Sequence, residues 1–327
     1  MKYSALLRIV GVVTSVVVFS SAQAQENPAK NYPDKPIHVI VGYGAGGAND
    51  LVARAFGAKL NEALGQPVIV ENKTGAAGMI AVNHVAKTSP DGYTLLFAAS
   101  SMFTTNPVMF KNVGYSLSDF TPISTVVTYP FLLIVNASQP IQSLKELVAR
   151  LKAKPEGANA SGAAGVHQLA FELFKNETGT SGVYIPYRST TESLNAVVSG
   201  DVLMTIADAA AASVVLRGGK VRALAVTSSK RLAAYPDVPT VAELGFPGLG
   251  IGSWMGLLAP AGTPISIVRK LQDEVNRIVE SPAFKERMGA LQVDPNGSTP
   301  EQFALRISSE LANWRAVAKA RNIEPVN

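Results

Sequence analysis

Gly42, Gly44 and Gly47 stand in the stretch HVIVGYGAGGANDL at the spacing G-x-G-x-x-G, behind an apolar run and ahead of a helical pattern. Glycines so placed let a backbone turn tightly and come close to a ligand. The unpaired amides at the following helix start, at the positive end of its dipole, attract an anion. Two anions suit such a loop. One is the pyrophosphate of a dinucleotide, with Glu71 after the strand-like run Pro67–Val70 as the ribose-binding acid. The other is a carboxylate, which has the same need for donors. The reading without a ligand is a plain tight turn capped by Asn49 or Asp50.

A similar device recurs further along. Ser161-Gly162-Ala163-Ala164-Gly165 precedes a helical pattern that carries His167. Small residues again leave free amides at a helix N-terminus. Two such loops facing each other would hold a ligand mainly by backbone donors, with Ser161 and His167 adding side chains. Asp50 caps its helix, orients the loop or accepts from a ligand amine. Arg188 is a solvated strand-end charge or pairs with a carboxylate. Asp208 caps the helix after it and lines the cleft. Trp254 packs in the core or stacks on an aromatic ligand. His38 and His84 are scaffold.

Catalytic patterns are missing. No serine sits in G-x-S-x-G, and H-E-x-x-H is absent. Three scattered histidines and no cysteine rule against a zinc site. No catalytic, metal or cofactor residue is assigned; an exported hydrolase is the enzyme alternative.

These loops need a scaffold, and strands and helices alternate to supply one. Strands are expected at Ile37–Val41, Val68–Val70 and Tyr93–Ala98, with helices at Asp50–Leu64, stopped by Gly65, and at Met79–Lys87. A long strand-like crossing, Ile123–Val135, is interrupted by Pro130. A second set follows: helices Leu144–Lys152, Val166–Lys175 and Ala209–Leu216, and strands Val183–Pro186, Val202–Ala207 and Val221–Thr227. A return crossing, Leu249–Ala259, leads to helices Ile265–Val279 and Glu301–Ala320. Such alternation argues for α/β units on a largely parallel sheet. Two crossings joining two lobes leave a cleft, where ligands collect.

The N-terminus carries Lys2 and Arg8, an apolar stretch to Phe19 and the pattern Ala22-Gln23-Ala24. That is a signal peptide, residues 1–24, cut after Ala24; its apolar run is shorter than the roughly 20 residues a membrane span needs. Residues 25–34 form a loose lead-in. An exported location argues against a soluble nicotinamide cofactor, and the Asp50 carboxylate would crowd a pyrophosphate. The net charge is +5, or +3 with 27 basic and 24 acidic residues after cleavage, and no basic run interleaves with aromatics, so nucleic-acid binding is unsupported. Without cysteines there are no disulfides, and stability must come from core burial.

At these residues the chain resembles the tripartite tricarboxylate transporter receptor family, the Bug proteins. The likeness is carried in order by Gly42–Arg54, Glu71–Gly78, Pro90–Leu96, Asp119–Ile123, His167–Ala170, Ile185–Arg188, Val221–Thr227 and Ala259–Pro264. The resemblance implies a type II periplasmic-binding-protein-like fold of two α/β lobes, residues 35–125 with 254–327 and residues 126–253, joined by two crossing strands around a ligand cleft. It implies a monomeric periplasmic receptor for a di- or tricarboxylate, an acidic amino acid or an aromatic carboxylate. The partner it implies is a membrane permease of the tripartite tricarboxylate type or a signalling sensor. The implied ligand residues are Tyr43, Gly46, Gly47, Ala48, Asn49, Asp50, Ser100, Ser101, Ser161, Gly162, Ala164, Gly165, His167 and Asp208. The chain departs from the family pattern at Gly42 and Ala45, where prolines are common, at Ala164, where a hydroxyl residue is common, and at Ser189, where a glycine is common.

Overall fold

The computed structural model describes residues 29–163 and 165–326; the signal-peptide segment and Ala164 lie outside them. The first half holds β1 (Ile37–Val41), α1 (Ala48–Leu64), β2 (Val68–Asn72), α2 (Met79–Val85), β3 (Thr94–Ala99), α3 (Ser100–Thr104), α4 (Asn106–Met109) and the long β4 (Phe120–Asn136). Next come α5 (Leu144–Ala153), β5 (Asn159–Ala163), α6 (Val166–Thr178), β6 (Val183–Tyr187), α7 (Thr190–Ser199), β7 (Met204–Asp208), α8 (Ala209–Arg217) and β8 (Val221–Val226). The chain closes with β9 (Gly252–Pro260), α9 (Ile265–Glu280), α10 (Pro282–Ala290), β10 (Asp294–Pro295) and α11 (Pro300–Ala320).

Among the described residues the strands run β2-β1-β3-β9-β4-β7-β5-β6, with β8 and β10 also paired to β4. The outer strands of each lobe are parallel. The central strands β4 and β9 are antiparallel to their neighbours. The sheet is therefore mixed, which corrects the expectation of a largely parallel one. A strand that leaves one lobe and enters the other meets its new neighbours head-on.

β4 belongs to both lobes. Phe120–Pro130 pair with β9, whereas Phe131–Asn136 pair with β7 and β8. Pro130 does not interrupt it. The missing proline amide falls where the strand exchanges partners, and two register shifts near Pro122 and Thr125 absorb the twist. The chain returns to the first lobe through Gly250–Gly252, so β9 begins at Gly252 rather than at Leu249.

Alternation along each strand feeds two cores per lobe. Val39, Val41, Leu95 and Phe97 pack with Phe56 of α1 and Leu271 of α9. Ile40, Leu96 and Ala98 face the opposite way, toward Met102, Trp254 and Phe303. In β4, Phe131, Leu133 and Val135 meet α5 and α6, while Leu132 and Ile134 meet α7 and α8. Strands covered on both faces read as unbroken apolar runs for this reason, and each full burial contributes about 1.5–3 kcal/mol. The lead-in is not loose at its end: Tyr32 is buried in the first core and its hydroxyl donates to the Gly92 carbonyl at 2.7 Å.

Caps set the helix starts. Ser143 and Ser189 accept from the amides of Glu146 and Glu192. Thr299 and Gln302 bond reciprocally, at 3.2 and 3.0 Å, to begin α11. Thr299→Ala removes one of those bonds and is expected to cost about 1 kcal/mol, read as a lower urea midpoint with an unchanged m-value.

Candidate functional site

The β1–α1 loop takes its shape from three features. A side chain at Gly42 would lie 2.9 Å from the Gly78 Cα, so only glycine permits that backbone approach. Gly46 adopts φ +81°, a left-handed conformation suited to glycine. Beneath the loop, Asp50 is 2% exposed. Its carboxylate accepts from the Gly46 amide at 2.9 Å, from Arg54 Nε at 3.0 Å and from Asn72 Nδ2 at 2.9 Å. Asn72 also donates to the Tyr43 carbonyl, and Arg54 donates to Asn72.

The helix therefore starts earlier than the sequence suggested. Gly47 occupies the cap position without a side-chain bond, and Asp50 lies in the first turn as a tether rather than as the cap. The Arg54 guanidinium, helped by the Gly46 amide and Asn72 and opposed by burial, holds the Asp50 carboxyl down at about 2. With that charge balanced by Arg54, residues 44–48 remain exposed above it and present the helix-start amides outward.

Hydroxyls collect behind the loop. Tyr43 Oη and Ser101 Oγ are 2.8 Å apart, and Ser100 Oγ and Ser253 Oγ are 2.6 Å apart. The Tyr129 phenol lies near Ser253, Tyr43 and Asp208. Burial raises the proton affinity of both phenols, against the Ser101 bond for Tyr43; for Tyr129 the Asp208 charge adds to burial. Both phenols stay protonated donors. Sequence reasoning missed Tyr129; its signal was a polar aromatic at the centre of the crossing strand, beside Pro130.

In the second lobe, Gly165 begins α6 at φ +76°. A Cβ on Gly165 would lie 3.9 Å from Thr105 Oγ1, so the second loop approaches the α3–α4 junction of the first lobe. At Gly162 a Cβ would lie 2.6 Å from the His167 Cβ and 2.7 Å from the Tyr184 hydroxyl. The absent side chain lets His167 pack close, 7% exposed and with its ring 5.7 Å from that of Phe131. Both His167 ring nitrogens are buried and lack a hydrogen-bond partner among the described residues. Nε2 lies 3.7 Å from the Asp208 carboxylate, beyond hydrogen-bond reach. Asp208 occupies the cap position of α8, yet its side chain makes no capping bond.

Other residues have work elsewhere. Ser161 lies in β5, not in a loop; its hydroxyl donates to the Ser193 carbonyl and accepts from Ser193 Oγ, both at 2.9 Å, inside the second lobe. Arg188 is exposed at the β6–α7 turn. Trp254 is fully buried, edge-to-face with Phe303 at 4.8 Å, and its indole donates to Glu310 at 2.8 Å. His38 pairs with Glu71, which occupies that strand-end acid. A groove of about 560 Å³ between α6 and α11, floored by Ile251 and Trp314, includes none of the loop residues. Among the described residues no group of three or more His, Asp or Glu side chains could hold a metal ion.

The family described as "Tripartite tricarboxylate transporter family receptor" matches residues 52–323. Protein BugT of Bordetella pertussis is 34% identical over 323 residues, covering 98% of this chain and 98% of BugT. A Rhodopseudomonas palustris protein solved with adipate superposes at TM-score 0.78 with 32% identity, covering 90% of this chain and 100% of its own. MatC from the same organism, solved with bound malate, gives TM-score 0.72 and 30% identity over 88% and 99% of the two chains.

Proposed function

This chain belongs to the tripartite tricarboxylate transporter receptor family, a family of solute-binding proteins rather than enzymes, and from that premise we propose that it is a periplasmic receptor whose two lobes close on a small carboxylate. Export would be accompanied by cleavage after Ala24, and the loaded receptor, a monomer, would deliver its ligand to a permease of the tripartite tricarboxylate type. The division into lobes 35–125 with 254–327 and 126–253 belongs to the same reading.

One observation carries it. An exposed glycine loop at the start of α1 sits over a fully satisfied Asp50–Arg54–Asn72 tether, and in the second lobe His167, at the start of α6, is buried without a hydrogen-bond partner among the described residues. Removing a carboxylate from water is costly unless protein donors replace its hydration. The amides of Ala48 and Asn49, the hydroxyls of Tyr43, Ser100 and Ser101, and the backbone at Gly165 would supply them. Asp50 serves by holding its loop and Ser161 by tying β5 to α7, since their own polar atoms are already engaged. Closure is favoured because one ligand touches both lobes only in the closed form. The adipate and malate in the two neighbouring structures support a carboxylate as the ligand class.

A thermal-shift screen of carboxylates, amino acids and neutral sugars tests this. A true ligand at 100 times its Kd adds about 2.7 kcal/mol of stability. Gly47→Val is the companion variant: a Cβ there meets the Gly44 carbonyl at 3.3 Å, so that carbonyl must shift by a few tenths of an ångström while the loop's outer face is filled, and an unchanged urea midpoint shows that the variant is folded. The cognate carboxylate should lose most of its affinity for that variant by calorimetry. Retained affinity, or a response to neutral sugars alone, defeats the assignment.

A further inference from the structure

From the groove between α6 and α11 we infer a second binding site, separate from the carboxylate cleft, for an organic cation: an ammonium group carried on an apolar body.

The groove has the dimensions of a ligand pocket. Its volume of about 560 Å³ falls within the usual range for small-molecule sites. Three parts of the chain enclose it. α6 contributes Leu173 and Glu177, α11 contributes Trp314 and Val317, and the segment returning to β9 contributes Ile251. Leu173, Ile251, Trp314 and Val317 belong to one apolar cluster. Such a floor favours a hydrophobic body, which gains by leaving water. Because α6 and α11 stand on different lobes, an occupant touches both.

Charge decides the polar end of that occupant. Glu310, at one end of the groove, is already engaged: its oxygens accept from the Trp254 indole and from Arg306 Nε, both at 2.8 Å. Arg306, the basic residue of the lining, is neutralised by the same contact. Glu177 is left over. Lys175, two residues earlier, pairs with Glu172 at 2.7 Å and donates to the Gly182 carbonyl. Arg321 turns toward the same Glu172, at 3.9 Å. Arg315 and Lys319 of α11 do not line the groove. Glu177 is thus the lining charge without an ion-pair partner among the described residues.

Glu177 is also held in place. A Cβ on Gly248 would lie 2.1 Å from its Oε2 and 2.4 Å from its Cδ. The carboxylate therefore lies against the chain at Gly248, itself a lining residue, and a side chain there would displace it. An uncompensated carboxylate beside an apolar floor attracts a cation and repels an anion. Trp314 adds an aromatic surface of the kind that best attracts ammonium groups.

The test compares 4-phenylbutylamine with 4-phenylbutanol, read by tryptophan fluorescence in the Trp254→Phe protein. The chain has two tryptophans, so that background leaves the groove's Trp314 as the emitter. The amine should give a saturable change below about 10 mM. It should bind at least threefold tighter than the alcohol, a modest preference because the charge sits at a solvated end of the groove. Glu177→Gln should remove the preference, and Ala316→Phe, which fills the groove from α11, should abolish the signal. Both positions are exposed, so both variants should keep the circular-dichroism spectrum and urea midpoint. Calorimetry on the wild-type chain repeats the amine–alcohol comparison and stands even if a variant does not fold. Absence of saturable amine binding, equal binding of the alcohol, or an undiminished preference in folded Glu177→Gln overturns the inference. None of these outcomes bears on the carboxylate cleft.

Discussion

Trp254→Ala is expected to cost about 3–5 kcal/mol of folding stability, the range for deleting a large aromatic from a close-packed core. The indole is fully buried in β9, edge-to-face with Phe303, and ties the strand to α11 through Glu310. Removing it opens a cavity and strips Glu310 of one of two donors; the other, Arg306 Nε at 2.8 Å, remains. Trp254→Phe should lose less, because it keeps much of the volume and the contact with Phe303. Urea unfolding of both variants checks the order. Ligand affinity, measured where each variant is still folded, should stay within about threefold, a shift below 1 kcal/mol. The tryptophan faces the C-terminal helix rather than the cleft. A stable Trp254→Ala protein that no longer binds would assign the indole to the ligand instead.

Asp50→Ala should lower stability by about 3 kcal/mol and weaken ligand binding at least tenfold. The substitution removes the shared acceptor of three donors at once, the Gly46 amide, Arg54 and Asn72, although Asn72 keeps the Tyr43 carbonyl and Arg54 keeps Asn72. Leaving buried groups unpaired costs about 1–3 kcal/mol each, moderated here because the Arg54 side chain is half exposed and recovers water. The loop above then loses its anchor, and with it the fixed placement of its amides.

The same carboxylate gives the stability curve an acid limb. Its folded value of about 2 lies below the ordinary 3.8. The unfolded chain therefore binds the proton more readily, and stability rises with pH across that interval. The contribution is fully present above about pH 4 and is lost as pH falls through 2; it amounts to roughly 1–2 kcal/mol after screening at Arg54. Asp50→Asn keeps the shape without the charge, and should flatten that limb when urea midpoints are compared at pH 5, 3.5 and 2.5.

Much of the scaffold was legible because its signals are local. Gly65 stops α1 in a left-handed conformation, as its place after the periodic run implied. The two-sided apolar runs of β1 and β3 announce strands buried on both faces. What was missed depended on partners distant in sequence or on a pattern passed over. α7 was readable from Ser189-x-x-Glu192, a capping signature, yet Ser189 was weighed only as a departure from a glycine. The small neighbours of Ser161 read as a loop in sequence, whereas in the structure they belong to β5, paired between β6 and β7. Of the site, the glycine loop, the Tyr43–Ser101 neighbourhood and the proximity of His167 to Asp208 involve residues the sequence had singled out. Tyr129 and the Asn72 tether were not foreseen, since only the sheet's register brings them to the cleft.

The position of β9 between β3 and β4 dictates an order of assembly. A chain folding from its N-terminus has β1 to β4 in hand but cannot close the first lobe's sheet, because the strand for its gap arrives only after the whole second lobe has been made. The second lobe is contiguous and can consolidate alone, around the far half of β4. The last insertion to complete the protein is thus a strand threaded between two that have waited over a hundred residues for it, a step dominated by distant pairing and therefore slow.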